Sequence, residues 1–129
     1  MNKKMIEKLF RDKILILDGA MGTMVQSYKL EESDFRNERF STHDKDLKGN
    51  NDLLCLTQPE IVGEIHKSYL DAGADIVETN TFNSNAISQM DYGTQDFVYE
   101  INYEAAKIAK SVAKDFTDYP RFVAGAIAV

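Results

Sequence analysis

The stretch Ile14-Leu15-Ile16-Leu17-Asp18-Gly19-Ala20-Met21-Gly22-Thr23 constrains this chain more than any other. Four consecutive large apolar residues running into Asp-Gly read as a parallel strand covered on both faces, since a half-exposed strand would alternate apolar with polar. In parallel α/β folds the carboxyl ends of such strands face the ligand. Asp18 and the glycine-rich turn behind it therefore stand where chemistry is usually done. Capping of the next helix by Asp18 is an equally good explanation at this point.

The rest of the chain supplies the partners of that strand. Residues 2–12 form an amphipathic helix, with Met5, Ile6, Leu9 and Phe10 at helical spacing. Residues 19–28 begin a short helix, whose Met21 and Met24 fill core gaps. From Leu30 to Gln58 the sequence turns dense in mixed charges around few apolar anchors, Phe35, Phe40 and Leu47 among them. A connection so long reads as a functional loop or lid with a mostly solvated surface. His43 within it is an ordinary surface residue. Pro59-Glu60 opens the next helix, Ile61, Val62, Ile65, Tyr69 and Leu70 line its inner face, and Gly73 closes it. His66 on that helix is a packing or surface residue.

Asp75-Ile76-Val77-Glu78-Thr79 reads as the second strand, followed by the polar turn Asn80 to Asn85. Glu78, Thr79, Asn80 and Thr81 either solvate a polar ligand there or satisfy turn and helix-cap groups. A long helix over residues 94–116 carries Phe97, Ile101, Ala105, Ile108, Val112 and Phe116 on one side, and its charges run from acidic to basic along the axis. Pro120 ends it, and residues 121–129 form a third apolar strand. Strands alternating with helices predict an α/β fold, three parallel strands with right-handed crossovers. Such a sheet keeps two open edges, so the chain reads as the first part of a (β/α)8 TIM barrel, and its exposed edges invite self-association.

Composition narrows the function classes. At 129 residues the chain can bury roughly two thirds of its unfolded surface, enough for one domain over residues 1–129. No apolar run approaches the ~20 residues that span a bilayer, and the amino terminus lacks a signal-peptide pattern. The expectation is a cytoplasmic protein without a membrane partner. A net charge of -6 with dispersed Lys and Arg argues against nucleic acid. The single cysteine, Cys55, rules out an internal disulfide and cannot alone form a thiolate metal cluster.

Four motifs in order, Asp18-Gly-Ala-Met-Gly-Thr23, Asp34-Phe-Arg-Asn-Glu-Arg-Phe40, Leu47-Lys-Gly-Asn-Asn-Asp-Leu-Leu54 and Ala72-Gly-Ala-Asp-Ile-Val-Glu-Thr-Asn-Thr-Phe-Asn83, resemble the amino-terminal homocysteine-binding domain of cobalamin-dependent methionine synthases. The likeness runs from Ile14 to Gly125. The first and last motifs are shared with the wider homocysteine methyltransferase family, betaine-dependent members included, whereas the two loop motifs resemble the cobalamin-dependent branch. The resemblance implies transfer of a methyl group from methylcobalamin, supplied by methyltetrahydrofolate, to a zinc-activated homocysteine thiol. It implies that Asp18 and Gly19 meet the amino-acid end of homocysteine, that Thr79 adds a second contact, and that Phe82 forms an apolar wall. In the family three cysteines on later barrel strands hold the zinc, and Cys55 matches none of them. Neither zinc nor cobalamin is therefore expected on these residues, which alone should bind homocysteine weakly or not at all and be inactive. The partners implied are the remaining barrel strands and the folate and cobalamin modules. Asn37 stands where the family usually has glycine, and the Gly-Pro expected soon after the third strand is missing from residues 125–129. The alternatives are a non-catalytic remnant or interaction module, and a fragment of a homocysteine methyltransferase that uses betaine or S-methylmethionine.

Overall fold

The computed structural model describes residues 3–128. Its organising element is the segment around β1 (Ile76–Glu78), in which Val77 is fully buried. Along one edge it pairs in parallel with β2 (Phe122–Ala124), Ile76 opposite Phe122 and Glu78 opposite Ala124. Along the other, Asp75 and Ile76 both donate backbone N–H groups to the Ile16 carbonyl, and Asp18 N donates to the Ile76 carbonyl.

The expected three-stranded sheet is corrected here, because among the described residues only two strands form. The stretch 14–18 is extended but holds to β1 through a single parallel bridge, Leu17 to Ile76. Nor is it covered on both faces, for Ile14 is 90% and Ile16 58% exposed. One edge is bonded to β1, while among the described residues no strand pairs with the other. The third strand is likewise shorter than residues 121–129, and the last of these lies outside the described residues.

Lys3–Asp12 is helical (α1), as its spacing predicts, with no fully buried residue; the expected start at residue 2 lies outside the described residues. A short α2 (Met21–Ser27) follows the Asp18 turn, and Met21 and Met24 pack partly buried against the core. The main helices are α5 (Pro59–Asp71) and α7 (Val98–Lys114), packed on each other and on the sheet, with the short α6 (Ala86–Met90) between them in sequence. Ile101, Ala105, Ala109 and Ala113 recur every four residues on the buried face of α7, which is large at one end and otherwise lined by small side chains. A 3-10 turn over Gln95–Phe97 replaces the first turn of the longer helix expected from residue 94. Gly73, at φ +107, follows the α5 C-terminus in the left-handed conformation that glycine tolerates. Arg121 satisfies chain carbonyls nearby, donating to Leu70 O and Ala74 O with its guanidinium 3.8 Å from the Tyr119 ring centroid.

The long connection at 30–58 departs most from expectation. It contains α3 (Glu32–Arg36), a 3-10 turn (Asn51–Leu53) and α4 (Leu54–Thr57), and it delivers Phe35, Phe40, Leu47, Leu53 and Leu54 to the main core. Most of its charges are exposed, as expected, but a few serve as ties. Glu32 accepts the N–H groups of Leu47 and Lys48 and pairs with Arg36 at 2.8 Å, while Arg36 donates to the carbonyls of Phe40, His43 and Lys45. Arg39 grips Glu100 of α7 with both terminal nitrogens. His43 is half-buried, its Nε2 2.7 Å from Tyr92 O. Asn37 has φ +49, which explains why glycine suits this position, and its amide is anchored on Thr57 O and Glu38 N. His66 is fully buried in α5, where burial pushes its pKa down to about 4 and keeps the ring neutral.

Asp75 fixes the register of the 14–18 stretch. Its carboxylate accepts Lys13 Nζ at 2.7 Å and Ile16 N at 2.9 Å. Burial acts to raise its pKa, but the Lys13 and Ile16 donors and the Arg121 charge outweigh burial and hold it below the ordinary value. The lowered pKa makes this contribution fully present above the unfolded value near 4 and lost as pH falls through the folded pKa. In urea titrations at pH 7, Asp75→Ala should cost about 2 kcal/mol, because two donors lose a buried charged acceptor. Lys67→Ala, which breaks an exposed pair, should stay within about 0.5 kcal/mol. Equal effects of the two substitutions would contradict this role for Asp75.

Candidate amino-acid pocket at the strand ends

Parallel pairing brings the carboxyl ends of three segments to one side. Asp18 follows the first, Glu78 and Thr79 end β1, and Ala126 follows β2. These residues line a cavity of about 440 Å³, closed by the Gly19–Gly22 turn, residues 49–52 of the long connection and the turn 80–83 that carries Phe82. All four residues expected at a site, Asp18, Gly19, Thr79 and Phe82, are thus brought together. The lining includes the carboxyl residues Asp18, Asp52 and Glu78, and among the described residues that line it none is Lys, Arg or His.

Asp18 is half-buried, and its Oδ2 accepts the Glu78 N–H at 3.1 Å. Burial raises its pKa to about 6, the Glu78 backbone bond opposes the rise, and the Glu78 charge adds to it. A carboxylate held so far above its ordinary range gains strongly from a cation placed beside it. Asp18 makes no cap on α2, whose N-cap residue is Ala20 without a side-chain bond, so the capping alternative is not what forms. Gly19 is pressed against Tyr69, where an added Cβ would meet ring atoms at 3.1 Å, and Tyr69 Oη donates to Ala20 O at 3.0 Å. The absence of a side chain at residue 19 keeps the turn close to α5.

Thr79 is only 7% exposed and its hydroxyl is largely engaged. Thr81 Oγ1 gives its proton to Ala126 O at 2.7 Å, so the 2.7 Å contact between the two hydroxyls is donated by Thr79. Thr79 Oγ1 also accepts Ala126 N at 3.0 Å, which leaves it one lone pair and no proton to offer. Phe82, 69% exposed, forms a rim.

The wall formed by residues 49–52 went unpredicted in the residue pattern, because Asn50, Asn51 and Asp52 sit inside what reads as a solvated loop. Buried Asn50 exchanges amide hydrogen bonds with Gln89, and Asp52 binds the turn at Asn83 and Ser84. The available signal was the polar triplet directly before the apolar pair Leu53-Leu54, a pattern that tethers polar side chains near a core. Cys55 lies behind this wall, buried, with Asn80 Nδ2 3.7 Å from its sulfur. Burial, with the Asp52 charge, pushes its thiol up to about 12. Such a thiol stays protonated at neutral pH and is a poor metal ligand. Among the described residues no three His, Cys, Asp or Glu side chains are grouped to hold a metal ion, so these residues do not fit the zinc site that the resemblance implies.

Comparison with known proteins decides the family. The family model for homocysteine S-methyltransferase matches residues 15–129. The chain belongs to the homocysteine S-methyltransferase family. A solved structure, the oxidised form of the Escherichia coli homocysteine methyltransferase MmuM, superposes with a TM-score of 0.72 at 19% identity. The match covers 95% of this chain and 40% of that one, so the two-stranded parallel α/β unit corresponds to part of the methyltransferase barrel. The described residues contain no helix long and apolar enough to cross a membrane.

The geometry around Asp18 predicts its titration. Carboxyl-carbon NMR should give a midpoint near 6, and Glu78→Gln should move it down by removing a like charge while keeping the backbone bond. A midpoint near 4 in the unmodified chain would contradict the burial of this carboxyl group.

Proposed function

We propose that this chain supplies the amino-acid end of the homocysteine pocket in a methyltransferase of the cobalamin-dependent methionine synthase branch. The observation that carries the proposal is the cavity itself, in which Asp18 stands beside Glu78 with its pKa raised and, among the described residues, no basic side chain lines the wall. A site of that charge recognises an ammonium group. In this reading Asp18 pairs with the ammonium of homocysteine and the backbone at Gly19 lies alongside. Thr79, whose hydroxyl has a free lone pair but no free proton, accepts a further hydrogen from the same ammonium. Phe82 covers the methylene chain from the rim.

The methyl donor follows from the loop motifs. Asp34 to Phe40 and Lys48 to Leu54 resemble the cobalamin-dependent branch, which favours methylcobalamin over betaine or S-methylmethionine. The zinc that serves the homocysteine sulfur in the complete enzyme would be held outside the described residues, as would the folate and cobalamin modules and the other barrel strands. The reaction then belongs to the complete protein, in the cytoplasm, and the 129 residues by themselves provide half of the substrate site.

Binding to half a site should be weak. In an NMR titration at pH 7.5, homocysteine should shift the Asp18, Gly19 and Phe82 signals with a Kd of about 1 mM, equivalent to roughly -4 kcal/mol. The analogue that keeps the thiol and carboxylate but lacks the amine should leave these signals in place. Asp18→Asn should weaken binding about tenfold, and binding to the unmodified chain should decline as pH falls through about 6, where Asp18 takes up its proton. Equal shifts from homocysteine and the amine-free analogue would overturn the ammonium assignment. Micromolar binding without zinc would overturn the division of the site.

A further inference from the structure

We infer that Asp52 is a positioning residue, which sets the turn bearing Phe82 over the amino-acid pocket. The inference rests on the homocysteine reading only for the ligand; the geometry of the turn stands apart from it. Asp52 is 4% exposed and is held in place by its neighbours Leu53 and Leu54, both fully buried. Its Oδ2 accepts two hydrogen bonds, from Asn83 N and from Ser84 Oγ, each 2.7 Å long. Two donors from adjacent residues converging on one carboxylate oxygen define both the height and the tilt of the turn. Phe82 immediately precedes them, so its place on the rim is decided by a side chain thirty positions earlier in the sequence.

The turn has other supports, but they do not reach the Asn83 amide. Gln89 Nε2 donates to Asn83 O at 3.1 Å, and Asn102 Nδ2 donates to Ser84 O at 2.9 Å, so both hold carbonyls from outside. Asn80 Nδ2 ties the start of the turn to Asn51 O at 2.9 Å. Asp52 alone among the described residues accepts the Asn83 N–H and the Ser84 hydroxyl. The carboxylate also has no salt-bridge partner among those residues, and burial, partly offset by its two hydrogen bonds, raises its pKa. A buried charge balanced only by two neutral donors is an expensive way to satisfy a loop, and a side chain chosen for stability alone would be neutral. The same carboxyl group lines the cavity with Asp18. The rim that bears Phe82 is thereby tied to a residue of the cavity lining itself.

The test uses Asp52→Ala, Asp52→Asn and Ser84→Ala in the whole 129-residue chain, with amide hydrogen exchange and a homocysteine titration as readouts. Asp52→Ala should speed exchange at Asn83 about tenfold, from the loss of one charge-assisted bond, while amides of Ile65 and Ala109 stay within about twofold. Homocysteine affinity should fall by a similar factor. Asp52→Asn keeps an acceptor for both donors and should restore most of the protection and affinity. If Asp52→Ala does not fold, Ser84→Ala takes its place, since it leaves the carboxylate and removes only the hydroxyl donor; faster exchange confined to residues 82–84 supports the inference. Unchanged exchange at Asn83, uniform acceleration across α5 and α7, or a loosened turn with unchanged affinity would each overturn it. A chain that does not bind homocysteine, yet shows the local exchange pattern, would refute the ligand and leave the positioning of the turn intact.

Discussion

Everything in this molecule depends on the segment 75–79 having backbone partners on both sides. Its N–H and C=O groups are matched to Ile16 and Asp18 on one edge and to Phe122 and Ala124 on the other. Buried peptide groups must be paired, and the segment around fully buried Val77 meets this with parallel neighbours on both sides. That register carries a consequence for chemistry. Parallel segments end on the same side, and the residues just past their ends, Asp18, Thr79 and Ala126, are forced to share a cavity. The Asp75 carboxylate reinforces the arrangement by clamping Lys13 and the Ile16 amide at the opposite end of the same segments.

Around this frame the chain divides its side chains by cost. Apolar residues of α5, α7 and the 30–58 connection form one continuous cluster, and a smaller cluster joins α5 and α7 to Val77. The polar groups that cannot escape burial are joined across segments, as with Asn50 and Gln89 or Thr79, Thr81 and Ala126. Among the described residues the ring nitrogens of fully buried His66 find no hydrogen-bond partner, and a second incompletely compensated group is Asp18. It is half-buried with one backbone donor and a like charge beside it, and its pKa near 6 records that incomplete compensation. The proposed pairing with a positively charged ligand group would complete that compensation at the open ends of the parallel strands.

The sequence made the helices and the site legible to different degrees. The period of apolar residues placed α1, α5 and most of α7, because a helix buries one stripe whatever its neighbours do. The run Ile14 to Leu17 read as buried on both faces, yet Ile14, Ile16 and Leu17 all stand exposed, because burial of a strand depends on partners that periodicity cannot supply. The charged connection misled for the opposite reason. Glu32 and Arg36 look solvated in a linear reading, and only the folded path brings Leu47 N, Lys48 N and three carbonyls within their reach. Asp18, Gly19, Thr79 and Phe82 were singled out by the resemblance of their motifs, and the fold brings them to one cavity. Asp52 was not, since its partners Asn83 and Ser84 lie about thirty residues away and no local pattern announces that contact.

The central claim is that Asp18 pairs with the ammonium of a bound amino acid. Its most direct measurement is the carboxyl-carbon titration of Asp18 repeated in saturating homocysteine. An ammonium seated beside the carboxylate favours the ionised form, so the midpoint near 6 should fall by about one unit or more on saturation. A saturated complex in which the Asp18 midpoint remains near 6 would contradict the pairing and place the amino-acid end of the ligand elsewhere.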